Sequence, residues 1–249
     1  MNYADDPVFV HRTDAAAMLL ARVALRHAPA AFACSFSAED MVLLDLIANH
    51  APTIEVFTLD TGRLPRETHE LLDAACKRYP IDIRVVRPDP DAVERYVARH
   101  GFDGFYQGVP QRQACCEVRK VAPLSRALTG KRAWISGLRR AQSDARTHVA
   151  LEDYDATHGV RKFNPLVEWT TADVWTYLRA NRVPYNALHD RGYPSIGCAP
   201  CTRAIRPGEG LRAGRWWWEG NDAHKECGLH VTPIRVVSRR ASQHAPLLP

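Results

Sequence analysis

Of the seven cysteines in this 249-residue chain, four fall into two groups: the tandem pair Cys115-Cys116, and Cys198 with Cys201, separated by Ala199 and Pro200. Grouped thiolates are ligands of structural zinc and of iron–sulfur clusters, and a two-residue gap lets two sulfurs turn toward one metal centre. The tandem pair discriminates between the two. Adjacent side chains reach one tetrahedral ion poorly, whereas a cluster with irons at separate corners accepts neighbours, so the spacing favours a cluster over zinc and over unligated redox thiols. Cys34, in an apolar stretch, and Cys76, in a helical-looking one, are expected as small buried hydrophobes. The seventh, Cys227, is flanked by His224, Lys225 and His230, cations that would lower its pKa if they fold toward it.

Such residues need a scaffold. At 249 residues and 46% hydrophobic, the chain can bury one large core. The expected organisation is a main domain over residues 1–205, a mobile C-terminal segment over 206–230, and a disordered Arg-, Ser- and Pro-rich tail over 231–249. Neither a long uncharged apolar run nor a signal-like N-terminus is present, so a cytoplasmic protein is expected, where grouped cysteines are not structural disulfides. The net charge of +5 bunches at Leu138-Arg139-Arg140 and along 203–215, which favours an anionic partner. With no long Lys/Arg run and no recognition-helix or stacking-sheet motif, nucleic acid and membrane are not the expected partners; a homo-oligomer is allowed.

Periodicity supplies the elements. Residues 13–27 repeat apolar positions at helical spacing; 30–36 and 53–59 read as strands with a helix at 39–49 between them; Pro65 opens a helix to 79; 81–86 is a third strand and 89–100 a further helix. A helical stretch at 112–128 carries the tandem cysteines, and Lys120 follows Cys116 by about one turn. Strands at 132–136, 150–154 and 160–163 and a helix capped by Thr170 or Thr171 complete the pattern. Strands alternating with helices predict an α/β fold, a mostly parallel sheet with helices on both faces, and ligands at the carboxyl ends of the strands. Two turns stand at such ends: Ser35-Phe36-Ser37-Ala38-Glu39-Asp40 and Leu59-Asp60-Thr61-Gly62. Hydroxyl residues at a helix N-terminus suit a phosphate or sulfate, although Ser37 alone also suits an ordinary N-cap with Glu39 and Asp40 in its first turn.

Taken in order, these pieces together with Trp134-Ile135-Ser136-Gly137-Leu138-Arg139-Arg140, Gly197-Cys198-Ala199-Pro200-Cys201-Thr202-Arg203, Gly214-Arg215-Trp216-Trp217-Trp218-Glu219 and Lys225-Glu226-Cys227-Gly228-Leu229-His230 resemble the assimilatory adenylyl-sulfate (APS) branch of the phosphoadenylyl-sulfate reductase family, over about residues 15–230. The resemblance implies an adenine-nucleotide hydrolase-like fold related to the ATP pyrophosphatases. Phe36 and Ala38 replace the glycines of an ATP loop, which counts against ATP cleavage. It implies thioredoxin-dependent reduction of APS to sulfite and AMP, in sulfate assimilation and cysteine biosynthesis, with Cys227 as nucleophile and an S-sulfocysteine intermediate. Cys115, Cys116, Cys198 and Cys201 would hold one [4Fe-4S] cluster that does not pass electrons to substrate. Ser35, Phe36, Ser37, Leu59, Thr61, Gly62, Lys120, Gly137, Arg139, Arg146, Arg212 and Arg215 would bind the nucleotide and its anionic groups. The alternatives are a reductase for the 3′-phosphorylated donor PAPS, a cluster-bearing tRNA-thiolating enzyme and a zinc-stabilised binding module.

Overall fold

The computed structural model describes residues 3–143, 146–220 and 228–229. Among these, six strands form one sheet: β1 (Ala30–Ala33), β2 (Glu55–Leu59), β3 (Ile83–Val86), β4 (Ala133–Ile135), β5 (Glu152–Asp155) and β6 (Val160–Phe163), in the order β3-β2-β1-β4-β6-β5. All neighbours are parallel except β5 against β6. The chain winds from β1 outward to β3 and then returns to lay β4 on the other side of β1. The order therefore reverses between β1 and β4, and a crevice opens at their carboxyl ends.

The central strands β1, β2 and β4 are short apolar runs buried on both sides, whereas the edge strand β5 is largely exposed. Ala30 and Phe32 of β1 face one core with α1 (Pro7–Arg26), α2 (Ala38–His50), α3 (Arg66–Arg78) and α7 (Thr171–Ala180), while Ala31 faces a second core with α6 (Ala122–Leu128). The expectation of helices on both faces is met. Helix α2 lies deepest: Met41, Leu43, Leu44, Leu46 and Ile47 are buried, each contributing about 1.5–3 kcal/mol of transfer free energy. Its buried Asp45 is satisfied by the hydroxyls of Tyr79 and Tyr177, both at 2.8 Å. Helix α1 starts earlier than its apolar repeat suggests, because Asp6 caps it by accepting from Val8 N at 2.8 Å and Pro7 presets the first turn.

Two expectations change. Residues 112–128 are helical throughout but not uniformly α: after α4 (Pro90–His100), α5 (Val109–Cys116) passes through a π turn (Glu117–Val121) into α6. Cys76 is exposed rather than buried, since α3 turns Thr68, Leu71 and Ala75 inward and the next position rotates about 100° away. Cys34 is buried as expected. No helix among the described residues is long and apolar enough to cross a membrane.

Candidate functional site

The crevice at the β1/β4 reversal is a cavity of about 210 Å³. Ser35 and Ser37 line it from the β1–α2 turn, Leu59 and Thr61 from the end of β2, and Gly137 and Arg139 from the end of β4. Lys120 reaches it from the π turn and Arg146, Arg212 and Arg215 from the later loops. Of the nucleotide-binding residues expected from sequence, Phe36 and Gly62 stand apart from this wall. Phe36 takes the left-handed backbone that glycine would take, φ 59°, and turns its ring into the main core. Gly62 spans the turn at φ 69°, its N–H donating to Asp60 Oδ1 at 3.0 Å.

The anion turn is occupied from within. Ser35 N and Oγ both donate to Asp40 Oδ2, at 2.6 and 2.5 Å. Burial pushes the Asp40 carboxyl from its ordinary 3.8 up to about 6, the Ser35 bonds limiting the rise and neighbouring Glu39 adding to it. Gly137 packs so closely that an added Cβ would lie 2.3 Å from Asp40 Oδ1. Arg139 is likewise engaged, donating from Nε and Nη2 to Glu39 Oε1 at 3.0 and 2.7 Å. Burial opposes ionisation of Glu39, but Arg139 and Gln142 outweigh it and hold its carboxyl below the ordinary range. Gln142 donates to Glu39 at 3.0 Å and accepts from Arg139 N at 3.2 Å and from Arg146. One carboxylate thus orients a cationic wall. From sequence, Glu39 and Asp40 are ordinary favourable first-turn acids; their bonds to Arg139 and Ser35 at the cavity mark them as site residues.

Arg215 has no acidic partner among the described residues. It is buried, donates to Ser195 Oγ at 3.3 Å and Ile196 O at 3.1 Å, and its Nε meets no acceptor. The isolated bridge between Thr202 and Arg215 folds the intervening loop back so that Arg212 and Arg215 return to the cavity. An uncompensated buried guanidinium on a cavity wall calls for an anionic ligand.

Beyond this wall lies a second void of about 20 Å³, bordered by Cys115, Cys116, Cys198 and Cys201 together with Arg63, Arg112, Arg119, Phe105 and Pro200; Lys120 borders both spaces. The two cysteine groups, distant in sequence, are therefore brought together as expected. All four are buried. Burial and the neighbouring Cys198 push Cys201 to about 12, whereas for Cys198 burial is outweighed by Lys120, the Thr61 hydroxyl, Arg215 and Arg119, which hold its thiol below the ordinary value. Thr61 Oγ1 lies 3.3 Å from Cys198 Sγ and accepts from Arg63 N at 3.2 Å, so its own proton is free to point at the sulfur. The indole N–H of Trp216 is buried without an acceptor in the same side-chain cluster as Cys115, Cys198 and Cys201.

This donor set is all sulfur, ringed by cations, with Trp216, whose N–H has no acceptor, packed in the same cluster. It fits a soft, net-negative group that carries acceptor atoms of its own. Among the described residues no three His, Cys, Asp or Glu groups are placed to hold a single metal ion, as a zinc site with sulfurs about 2.3 Å from one centre would require.

Cys227, with His224, Lys225 and His230, lies outside the described residues, as does the 231–249 tail. The two described residues that follow Cys227 do reach the site. Leu229 lines the larger cavity, and Gly228, at φ 86°, sits where an added Cβ would lie 3.5 Å from Val121 of the π turn.

Residues 29–204 match the phosphoadenosine phosphosulfate reductase domain. The chain is 51% identical to an adenosine 5′-phosphosulfate reductase of Burkholderia cepacia, covering 95% of this chain and 93% of that one. It is 53% identical to the protein of the same name from Allochromatium vinosum, covering 88% and 85%. Among solved structures it resembles a phosphoadenylyl-sulfate (PAPS) reductase from Candida auris, with TM-score 0.64, 24% identity and 81% and 98% of the two chains covered. A Candida glabrata FMN adenylyltransferase aligns with TM-score 0.51 at 15% identity over 90% and 80%, which extends the likeness in fold to nucleotide-binding enzymes.

Proposed function

The chain belongs to the phosphoadenosine phosphosulfate reductase domain family, and from that premise we propose that it reduces adenylyl sulfate to sulfite and AMP in sulfate assimilation, with Cys227 as nucleophile and a dithiol protein of the thioredoxin kind as reductant. The observation that carries this reading is a single wall: the cavity and the four-thiol void share Lys120, and Arg215 lies on the cavity side without an acidic partner among the described residues.

The chemistry follows from charge. APS carries a phosphate joined to a sulfate, and both suit Arg215, Arg212, Arg146 and Lys120 at the crevice. The Cys227 thiolate attacks the sulfonyl sulfur and forms an S–S bond as the S–O bond to phosphate breaks. The bonding pair leaves with AMP, whose growing negative charge the cationic wall stabilises. A thiolate of the partner then attacks Cys227 Sγ and expels sulfite with the S–S pair, and the partner's second thiol releases Cys227 and closes a disulfide. The sulfur thus gains two electrons from two thiols. Leu229, two residues after Cys227 in sequence, lines the cavity.

Cys115, Cys116, Cys198 and Cys201 would hold one [4Fe-4S] cluster, joining α5 to the Cys198 loop. When bound, it supplies a fixed charge beside Lys120 and structural cross-linking. APS is favoured over PAPS by the relatives about 50% identical, whereas the structure named for PAPS is 24% identical. The deciding experiment is Cys227→Ser assayed with APS and thioredoxin, beside mass spectrometry of the wild type after APS alone. The variant is expected to release no sulfite, and the wild type to carry a sulfonate adduct on Cys227. Sulfite release by the variant ends the assignment of the nucleophile, and faster turnover of PAPS than of APS ends the assignment of the substrate.

A further inference from the structure

Arg63 follows the Leu59–Gly62 turn and was singled out by no motif, yet it touches every part of the four-thiol site. Its carbonyl accepts from Ala199 N at 2.8 Å, inside the Cys198–Cys201 loop, and its own N–H donates to Thr61 Oγ1 at 3.2 Å, the atom that lies 3.3 Å from Cys198 Sγ. Its side chain, only 8% exposed, borders the void with all four cysteines.

The guanidinium is held from three sides. It donates to Phe102 O at 2.7 Å and to Asp103 Oδ1 at 3.0 Å, and its Cζ lies 3.8 Å from the Phe102 ring centroid and 5.0 Å from that of Phe105. Burying a long cationic side chain costs conformational entropy and hydration, and its carboxylate partner is 61% exposed and correspondingly weak. Arg112, on the same void, is by contrast neutralised by a doubly bonded and buried Glu219, at 2.7 and 3.2 Å. Arg63 is thus a buried cation with only a weak carboxylate partner, and its backbone grips the cysteine loop.

We propose that Arg63 is a positioning residue for the cluster: it clamps the Cys198–Cys201 loop through Ala199 and offsets the negative charge of the thiolate-bound group. This rests on the cluster reading above. The aromatic shelf of Phe102 and Phe105 sets the guanidinium at the rim of the void, and its planar fork can satisfy Phe102 O and Asp103 while facing the sulfurs.

The test is cluster retention, read as decay of the visible absorbance of anaerobically purified protein under a ferrous chelator. Arg63→Gln is expected to lose its colour about tenfold faster than wild type, equivalent to about 1.4 kcal/mol. Arg63→Lys, which restores the charge, is expected to recover most of the protection. Phe102→Leu removes only the shelf at an exposed position that folding does not require, and is expected to accelerate loss about two- to fivefold, the worth of an exposed cation–π contact. Should Arg63→Gln fail to fold, Phe102→Leu carries the test. Decay of Arg63→Gln at the wild-type rate overturns the proposal, as does Arg63→Lys decaying as fast as Arg63→Gln, or Phe102→Leu decaying no faster than wild type. A wild-type protein purified without iron or colour would instead overturn the cluster reading.

Discussion

Replacing Asp40 by Asn should stabilise the protein near neutrality and leave it unchanged in acid. Asp40 is buried with its pKa raised from 3.8 to about 6, burial being the leading cause and the Ser35 bonds working against it. A raised carboxylate pKa means that the folded state binds the proton more tightly than the unfolded chain does, whose Asp titrates near about 3.9. Below that value both states are protonated and nothing is lost. As pH climbs toward about 6 the folded state must surrender a proton it holds tightly, so stability falls through this window and then levels off. The shift of about two units corresponds to about 3 kcal/mol at pH 7. Asn keeps the size and one carbonyl oxygen that can accept from Ser35 N and Oγ in place of Asp40 Oδ2, but carries no charge. Thermal melts of both proteins should coincide near pH 4 and separate to about 6–12 °C, in favour of Asp40→Asn, by pH 7, at about 2–4 °C per kcal/mol for a chain of this size. Cluster loss on unfolding is common to both proteins and largely cancels in the difference. A constant offset across pH, or a less stable Asn variant at pH 7, refutes the account.

Other consequences are sharper in position. Gly197→Ala would place a Cβ 2.3 Å from Arg215 Nη2 and 2.6 Å from its Cζ, driving the guanidinium from the cavity. Losing one charge-assisted contact of about 1.5–3 kcal/mol should raise KM for APS by about ten- to a hundredfold with little change in melting temperature, and an unaltered KM would remove Arg215 from the substrate wall. Thr170→Ala takes away the cap of α7, where Thr170 Oγ1 accepts from Asp173 N at 3.1 Å and donates to Asp173 Oδ2 at 2.9 Å. The melt should fall by about 2–4 °C for about 1 kcal/mol, with KM unchanged, so a shift in KM would contradict a purely structural role.

The central sheet and most helices could be read from sequence because burial on both faces leaves short, dense apolar runs, as at Ala30–Ala33 and Ala133–Ile135, and because amphipathic helices repeat their stripe. The π turn could not, since a five-residue stretch is too short for its shift in the apolar repeat to stand out from an ordinary helix. Cys76 misled because one position along a helix separates a buried face from an exposed one. The cysteine set was legible because few chemistries use four grouped thiols. The acids were not, because Glu39 and Asp40 look the same whether they favour a helix terminus or grip Arg139 and Ser35; that difference is made by β4 folding against α2.

The placement of those acids bears on how the site handles charge. In this state Asp40 holds both Ser35 donors, and Glu39 holds Arg139. Arg215, which lines the cavity and whose Nε meets no acceptor, has no acid partner among the described residues. An incoming dianion thus meets a graded wall: Arg215 is available at once, whereas Ser35 becomes available only when Asp40 withdraws or takes up a proton. Protonation is feasible because burial has already raised Asp40 to about 6, within reach of neutrality once a substrate anion adds its own repulsion. Binding of AMP, which has no sulfate, should therefore take up fewer protons than binding of APS near pH 7. Calorimetry of each ligand in two buffers of different ionisation enthalpy measures that difference, and equal uptake for the two would place Asp40 outside the sulfate's reach.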